Sequence, residues 1–293
     1  MNPHQNEHDN IGGEKEQMYD FEKPKGLPRN IERANKIDKH LRIPTLPVGL
    51  KFFKQNETVP EGLGKESDWA GTFCQFLSQA RFERCTIRQN YIVRREHIVC
   101  PYARGVVGFE AWSEEINAGE HMGGVHFETA EAARRSQTAV PKIEPFTISA
   151  LLIGPLMDFA IDPDVIAIAF QPGMSNKIFD GAMWQSGKPF TIKYYNMCGT
   201  CGAVAQAYNE RRLSMGFPDH GTRRMALFGD SELFAALHLD FFDEWIVGME
   251  KSFVTGHSFP VGYMLSKPPA SIPHFKIIKW PDEVIPFGEK MDK

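Results

Sequence analysis

The residues of this chain best suited to do chemistry are its cysteines. The chain has five, and two of them, Cys198 and Cys201, form a Cys-Gly-Thr-Cys sequence. A β-prone run, 191–195, precedes this pair, and a helix-like stretch, 202–208, follows it. We therefore expect both thiols at a strand-to-helix junction. There the helix dipole favours the thiolate, which is the form that binds metal or attacks a disulfide.

Two further cysteines add to this pair. Cys74 opens a stretch with apolar residues at helical spacing, and Cys100 is followed by Pro101. Iron–sulfur clusters are held by thiolates, and a proline often follows a ligand cysteine. We predict an iron–sulfur cluster, of the 4Fe-4S type, with Cys74, Cys100, Cys198 and Cys201 as metal ligands. These four positions do not form a compact ferredoxin run, so only the tertiary fold could assemble the site.

Other uses of the same cysteines stay open. The four could hold tetrahedral zinc, although zinc sites more often show two close pairs. Cys198 and Cys201 could exchange thiols and disulfides, since Cys-Gly-Thr-Cys is locally similar to a thioredoxin-type motif. That class usually has a tryptophan before the first cysteine, and none stands here. All four could also be ordinary buried cysteines, which is the role we assign to Cys85.

A Gly/Pro loop over 215–224 contains the candidate substrate contacts. His220 and Arg223 lie in it, and an arginine fork with backbone N–H groups would bind a small anionic substrate. His121 and His126 flank a Gly-Gly turn, where they could bind metal, act as acid or base, or simply be surface residues.

Composition excludes several classes. The chain has 293 residues and a net charge of 33 − 37 = −4, with 42% hydrophobic residues. The charge argues against a nucleic-acid binder that works by electrostatics alone. No apolar run approaches about 18 residues, so we expect no membrane span. The first residues lack the pattern of a signal peptide, which predicts a cytoplasmic protein whose cysteines form no disulfide framework.

The composition along the chain predicts four segments. Residues 1–28 are polar and predict a flexible arm. It is either a disordered tail or a segment that docks a partner or a second copy and gives a homo-oligomer. Residues 29–145 form a first half with Cys74 and Cys100, and residues 146–259 a second half with Cys198 and Cys201. Residues 260–293 are a proline-rich extended tail.

Strands and helices alternate through both halves. The patterns predict strands over 44–53, 163–170 and 225–228, and helices over 30–43, 73–80, 129–137, 176–184 and 231–239. The unbroken apolar run of 163–170 indicates burial on both faces of a sheet. Asp230 and Glu232 are interpreted as the N-cap region of the last helix.

The two halves share an order of strand, loop, Cys-led helix, proline loop and strand. Cys74, Gln79 and Ala80 match Cys201, Gln206 and Ala207 in type and spacing. We predict an internal duplication whose pseudo-twofold axis would bring the Cys-led helix starts together. The fold class is then α/β or α+β, with two related halves and mixed sheets covered by helices.

Several of these motifs resemble one family. The carrying segments are the strands 46–52 and 163–170, the Cys74 helix start, Cys100 with Gly105, the Cys-x-x-Cys region and the Gly-Thr-Arg of 221–223. Together they resemble the domain of unknown function 169 family of anaerobic bacteria and archaea, over about residues 40 to 250. The resemblance implies cysteine-rich cofactor chemistry and no particular reaction. That family often has another cysteine where this chain has Phe217, so Cys198 or Cys201 would substitute for it.

These observations predict a cytoplasmic iron–sulfur redox protein, or an oxidoreductase component if the chain is an enzyme. It would act with a small-molecule substrate or a redox partner protein. A non-catalytic metal or small-molecule binding module with a docking arm is the alternative from another class. Thiol–disulfide exchange at Cys198 and Cys201 is the third hypothesis.

Overall fold

The computed structural model describes residues 24–82 and 89–252. The expectations for the arm up to residue 23, for Cys85 and for the tail 260–293 lie outside these residues. The helices described are α1 Pro28–Leu41, α2 Phe73–Phe82, α3 Pro101–Val106, α4 Glu114–Ala118, α5 Ala130–Thr138, α6 Ser175–Met183, α7 Gly199–Glu210, α8 His220–Met225 and α9 Phe242–Lys251. The strands are β1 Val48–Lys54, β2 Lys65–Glu66, β3 Tyr91–Val93, β4 Ile148–Pro155, β5 Val165–Phe170, β6 Leu213–Gly216 and β7 Leu233–His238.

In the described part of the chain the strands form one mixed sheet in the order β2-β3-β4-β1-β5-β7-β6. The pairing of β2 with β3 is parallel, and the other pairings are antiparallel. The predicted α/β fold is therefore confirmed, with a single sheet in place of separate ones. Strand β4 belongs to the predicted second half, 146–259, yet it pairs with β1 and β3 of the first half. The internal duplication stays a prediction.

The central strand β5 is covered on both faces. Val165, Ala167 and Ala169 belong to a core cluster that includes α2, α3 and α7. The alternate residues of β5 belong to a second cluster, with α1, α6 and α9. Successive strand residues point to opposite faces, so helices on both sides require an unbroken apolar run. This confirms the prediction for 163–170. The face with α2, α3 and α7 is the one that carries the cysteines.

Helix capping explains two of the predicted helices. Thr129 accepts a hydrogen bond from the Ala132 backbone N–H at the start of α5, as the sequence predicts for this N-cap. Helix α1 begins with Pro28 at its first position, where the missing N–H costs nothing because that group has no intrahelical partner. None of the described helices is both long enough and apolar enough to pass through a membrane.

Three predicted elements are wrong. Residues 231–239 were expected to be helical but contain β7, because the strand pairs with both β5 and β6 and buries side chains on each face. Residues 225–228 were expected to form a strand, but α8 ends at Met225 and a loop follows. The run 191–195 forms no strand. Short apolar runs fit either a strand or a buried helix, and long-range pairing decides between them.

One correction concerns Glu232. Because a strand follows it, Glu232 caps no helix. Its carboxylate instead accepts two hydrogen bonds, of 2.7 and 3.0 Å, from the guanidinium of Arg81 on α2. Arg81 is 2% exposed. This buried ion pair therefore connects α2, the helix of Cys74, to the residue that directly precedes β7.

Candidate functional site

All four predicted cysteine ligands lie at the start of a helix. Cys74 is the second residue of α2, Cys100 is the N-cap of α3, Cys198 is the N-cap of α7, and Cys201 is the third residue of α7. All four line a single cavity of about 270 Å³. The structure thus brings together four side chains that the sequence separates widely.

Tight backbone packing positions the Cys-x-x-Cys segment. Cys198 adopts a left-handed conformation with φ 59° and ψ 29°, which is unfavourable for a residue with a Cβ. The next residue is Gly199, where a Cβ would overlap the carbonyl oxygen of Phe217. At Gly216 on β6, a Cβ would overlap the carbonyl oxygen of Gly199. The start of α7 therefore touches the end of β6 backbone to backbone, as only glycines allow.

One carboxylate joins the starts of two helices beside the cavity. The backbone N–H of Gly199 on α7 donates to Asp219 Oδ2 at 2.8 Å. The backbone N–H of Thr222 on α8 donates to Asp219 Oδ1, also at 2.8 Å. Asp219 itself lines the cavity. It satisfies two N–H groups that lack intrahelical partners and fixes the two helix starts relative to each other.

The Cys74 sulfur has two hydroxyl neighbours. Its Sγ lies 2.9 Å from Thr200 Oγ1 and 3.3 Å from Thr222 Oγ1. The two hydroxyls are 3.2 Å apart. Thr200 is 0% exposed and Thr222 is 1% exposed, so both hydroxyls are shielded from solvent, while Cys74 is partly exposed at the cavity. This polar contact links α2 to α7 and α8.

Burial raises the pKa of the Cys74 thiol well above its usual range, and the nearby Cys201 and Asp219 raise it further. The hydrogen bonds to Thr200 and Thr222 lower this pKa, but by less. The pKa of Cys201 is also raised well above normal, by its hydrogen bond to Cys198 and by burial. For Cys198 the same hydrogen bond lowers the pKa, but burial and neighbouring charges leave it raised. Burial raises the pKa of Cys100. Without a cation the four groups therefore stay neutral thiols at neutral pH.

Two imidazoles stand at the same cavity. The ring centroids of His126 and His220 are 5.9 Å apart, and both residues line the cavity. Asn196 also lines it and donates through Nδ2 to the His126 carbonyl oxygen at 3.3 Å. Both histidine side chains are exposed, which places them at the solvent side. The local sequence left His126 as a metal ligand, an acid or base, or a surface residue, and its place beside the cysteines comes from the fold.

The predicted substrate residues are separated. His220 lies at the cavity. Arg223 does not line it, and its guanidinium donates to the backbone oxygens of Gly229 and Glu232. His121 Nε2 lies 3.2 Å from Glu115 Oε2, and His121 does not line the cavity either. The cysteine cavity therefore has no arginine among its described lining residues.

Asp219, Thr200 and Thr222 are site residues that the sequence analysis missed. Asp219 followed by a helix start is a recognisable N-cap signal, and Thr200 lies inside the Cys-x-x-Cys motif. Thr222 belongs to the Gly-Thr-Arg segment. Nothing in the local sequence says that the two threonines meet at a sulfur 126 residues from the first of them.

The cavity meets some requirements of a metal centre and lacks others. Among the described residues, no three His, Cys, Asp or Glu side chains are already grouped as a set that could hold a metal ion. In number and type, four thiols match the ligands of an iron–sulfur cluster or of tetrahedral zinc. Their raised pKa values also fit, because a bound cation favours the thiolate form that burial otherwise opposes. The donor set is therefore suitable in chemistry and location, but it is not prearranged.

Fold and site together define an α/β protein with a mixed sheet and four helix-start cysteines around one cavity. A family model matches residues 36–247. The chain belongs to that family, domain of unknown function 169, which is described as uncharacterised ArCR. The resemblance drawn from the sequence is thereby confirmed. Neither the curated proteins nor the solved structures contain a significant match to this chain.

Proposed function

We propose that this chain is a metal–thiolate redox protein in which Cys74, Cys100, Cys198 and Cys201 hold an iron–sulfur cluster. It would serve as an electron-transfer protein or as the oxidoreductase component that acts on a small substrate. The observation that carries the proposal is the placement of all four thiols around one cavity, each at a helix start.

The electrostatics of the cavity support a thiolate-bound cation. Cys74 lies in the first turn of a ten-residue helix, and Cys198 and Cys201 lie at the start of a twelve-residue helix. The positive ends of both helix dipoles stabilise negative sulfur. Each thiol raises the pKa of others in the set, so four thiolates without a cation would repel one another. A metal centre removes that repulsion.

The chain's own groups would act on the substrate from the mouth of the cavity. A bound cluster supplies one-electron transfer. His126 and His220 stand at the solvent side, where their ring nitrogens can donate or accept hydrogen bonds. Neither lysine nor arginine lines the cavity in the described part of the chain. The substrate is therefore expected to be recognised by hydrogen bonds from the imidazole groups, because the Arg223 guanidinium donates to the backbone oxygens of Gly229 and Glu232 instead.

Thiol–disulfide exchange is less well supported. Cys198 and Cys201 are hydrogen-bonded and close in sequence, as that chemistry requires. An attacking cysteine needs a low pKa and access to solvent. Here both residues are buried, and both thiols have raised pKa values.

Metal analysis of anaerobically purified protein tests the proposal. We expect about four iron and four sulfide per chain, with a visible absorption band. Serine in place of any one of the four cysteines should lower the iron content and weaken the band. Cys85→Ser is the matched control, because it makes the same chemical change outside the proposed set and should leave both unchanged.

Other outcomes reject the cluster. Zinc in place of iron would assign the cysteines to a zinc site. Protein without any metal, before and after reconstitution with iron and sulfide, would favour a metal-free thiol pair or a non-catalytic binding module. Loss of iron in Cys85→Ser equal to that in Cys100→Ser would show that the ligand set is wrong.

A further inference from the structure

We propose that Thr200 and Thr222 are positioning residues that hold the Cys74 thiolate through two O–H···S hydrogen bonds and raise the reduction potential of the bound centre. This inference rests on the proposed function for the identity of the centre. The hydrogen-bonding arrangement itself is a property of the protein chain.

The geometry is a closed triangle of three polar groups. Cys74 Sγ lies 2.9 Å from Thr200 Oγ1 and 3.3 Å from Thr222 Oγ1, and the hydroxyls are 3.2 Å apart. A thiol and two hydroxyls have one proton each, enough for one hydrogen bond along each side of the triangle. The neutral state is therefore internally satisfied.

Ionisation of the sulfur changes this arrangement. A thiolate has no proton to donate, and each hydroxyl has only one. Both hydroxyls then donate to the sulfur, and the hydrogen bond between the two threonines is given up. Hydrogen bonds to a charged acceptor are stronger than those between neutral groups. The pair of hydroxyls consequently favours extra negative charge on this sulfur.

The surrounding structure keeps the two hydroxyls in place. Both threonines are essentially inaccessible to solvent, so water does not compete with the sulfur for their hydroxyl protons. They belong to α7 and α8, and Asp219 joins the starts of these two helices through the backbone of Gly199 and Thr222. Two donors from two linked helices thus converge on a cysteine of a third, α2.

This arrangement has a consequence for reduction. Adding an electron to a thiolate-bound centre increases the negative charge on its sulfurs, and hydrogen bonds to those sulfurs stabilise the reduced form. Valine is close to threonine in shape but has no hydroxyl. We expect the Thr200→Val/Thr222→Val variant to shift the redox equilibrium about tenfold toward the oxidised form, a fall of 59 mV for one electron.

Redox titration of the reconstituted full-length protein is the first test. The Thr200→Ser/Thr222→Ser variant keeps both hydroxyls and should keep a potential close to that of the wild type. Thr45→Val is the matched control, since it removes a buried hydroxyl with no partner among the described residues. Equal potentials in the wild type and the double valine variant, at equal iron content, would overturn the inference.

A second test does not depend on iron. Cadmium ion alone is titrated into the metal-free chain, and its thiolate charge-transfer absorption is followed. The double valine variant should bind cadmium about tenfold more weakly, while the serine variant binds as the wild type does. Equal cadmium affinities would reject the role of the threonines even if the chain proves to hold no cluster. A cadmium effect without any iron binding would reject only the proposed function.

Discussion

Replacing Asp219 by asparagine tests the arrangement of the cavity most directly. The carboxylate accepts one hydrogen bond from Gly199 N and one from Thr222 N, both at 2.8 Å. An asparagine side chain has the same size but only one acceptor oxygen, and its NH₂ group is a donor. One of the two backbone N–H groups must therefore face a donor and lose its partner.

The magnitude follows from that single lost contact. A hydrogen bond to a charged group contributes about 1.5–3 kcal/mol, and Asp219 is only half-buried. We expect Asp219→Asn to lower the free energy of unfolding by about 2 kcal/mol. Asp219→Ala should cost more, because neither helix start keeps an acceptor.

The same substitution should make the cysteines more acidic. The negative charge of Asp219 raises the pKa of the thiols of Cys74, Cys100, Cys198 and Cys201. Without that charge their pKa values fall, and a larger thiolate fraction reacts at a given pH. A variant that is less stable but has more acidic thiols would be the signature of this carboxylate.

Two measurements separate these effects in the metal-free protein. Urea denaturation gives the stability, and the pH profile of thiol alkylation gives its midpoint. Alkylation through the unfolded state also lowers the midpoint, toward the unfolded pKa of about 8.5, so the destabilised Glu232→Ala variant, which keeps the Asp219 carboxylate, is the control. The lost charge should move the midpoint of Asp219→Asn below that of Glu232→Ala. Unchanged stability would refute the joint capping of α7 and α8. A midpoint at or above that of Glu232→Ala would refute the electrostatic argument.

Three further predictions concern stability and are checked by urea denaturation. The pKa values of Cys74 and Cys201 are raised on folding, so the two neutral thiols stabilise the metal-free fold fully below the unfolded pKa of about 8.5. This contribution to the free energy of unfolding is lost as pH rises above that value, and Cys74→Ser/Cys201→Ser should make the loss with pH smaller. Cys198→Gly should be about 1 kcal/mol more stable than Cys198→Ala, because only glycine adopts the left-handed backbone there without strain; equal stabilities would refute that strain. Glu232→Ala should cost about 3 kcal/mol or more, because it leaves the buried Arg81 charge unpaired; a loss under about 1 kcal/mol would show that pair to be unimportant.

Much of the local structure was set by the sequence itself. The apolar run of 163–170 predicts a strand buried on both faces, and Thr129 predicts the start of α5. The helix that opens at Cys74 and the one after Cys-x-x-Cys also follow from nearby residues. These features depend on residues within one or two helical turns of each other, so they can be predicted from the local sequence.

Other features depended on contacts between distant segments. The pattern over 231–239 also fits a helix, and pairing with β5 and β6 makes it a strand. Arg223 looks suited to an anion, but the fold directs its guanidinium to the backbone of Gly229 and Glu232. In both cases the local residues allow two outcomes, and the tertiary partner selects one.

The cavity is the clearest example of this division. Local capping and helical periodicity predict helix starts at Cys74 and at Cys198 and Cys201, whereas Cys100 was expected in a proline loop and the structure shows it as the N-cap of α3. The convergence of these starts depends on the tertiary structure, since one sheet holds α2, α3 and α7 on the same face. The tertiary structure also placed the threonine hydroxyls beside a sulfur 126 residues away from the first of them, because sheet order and helix packing are set by the whole buried core.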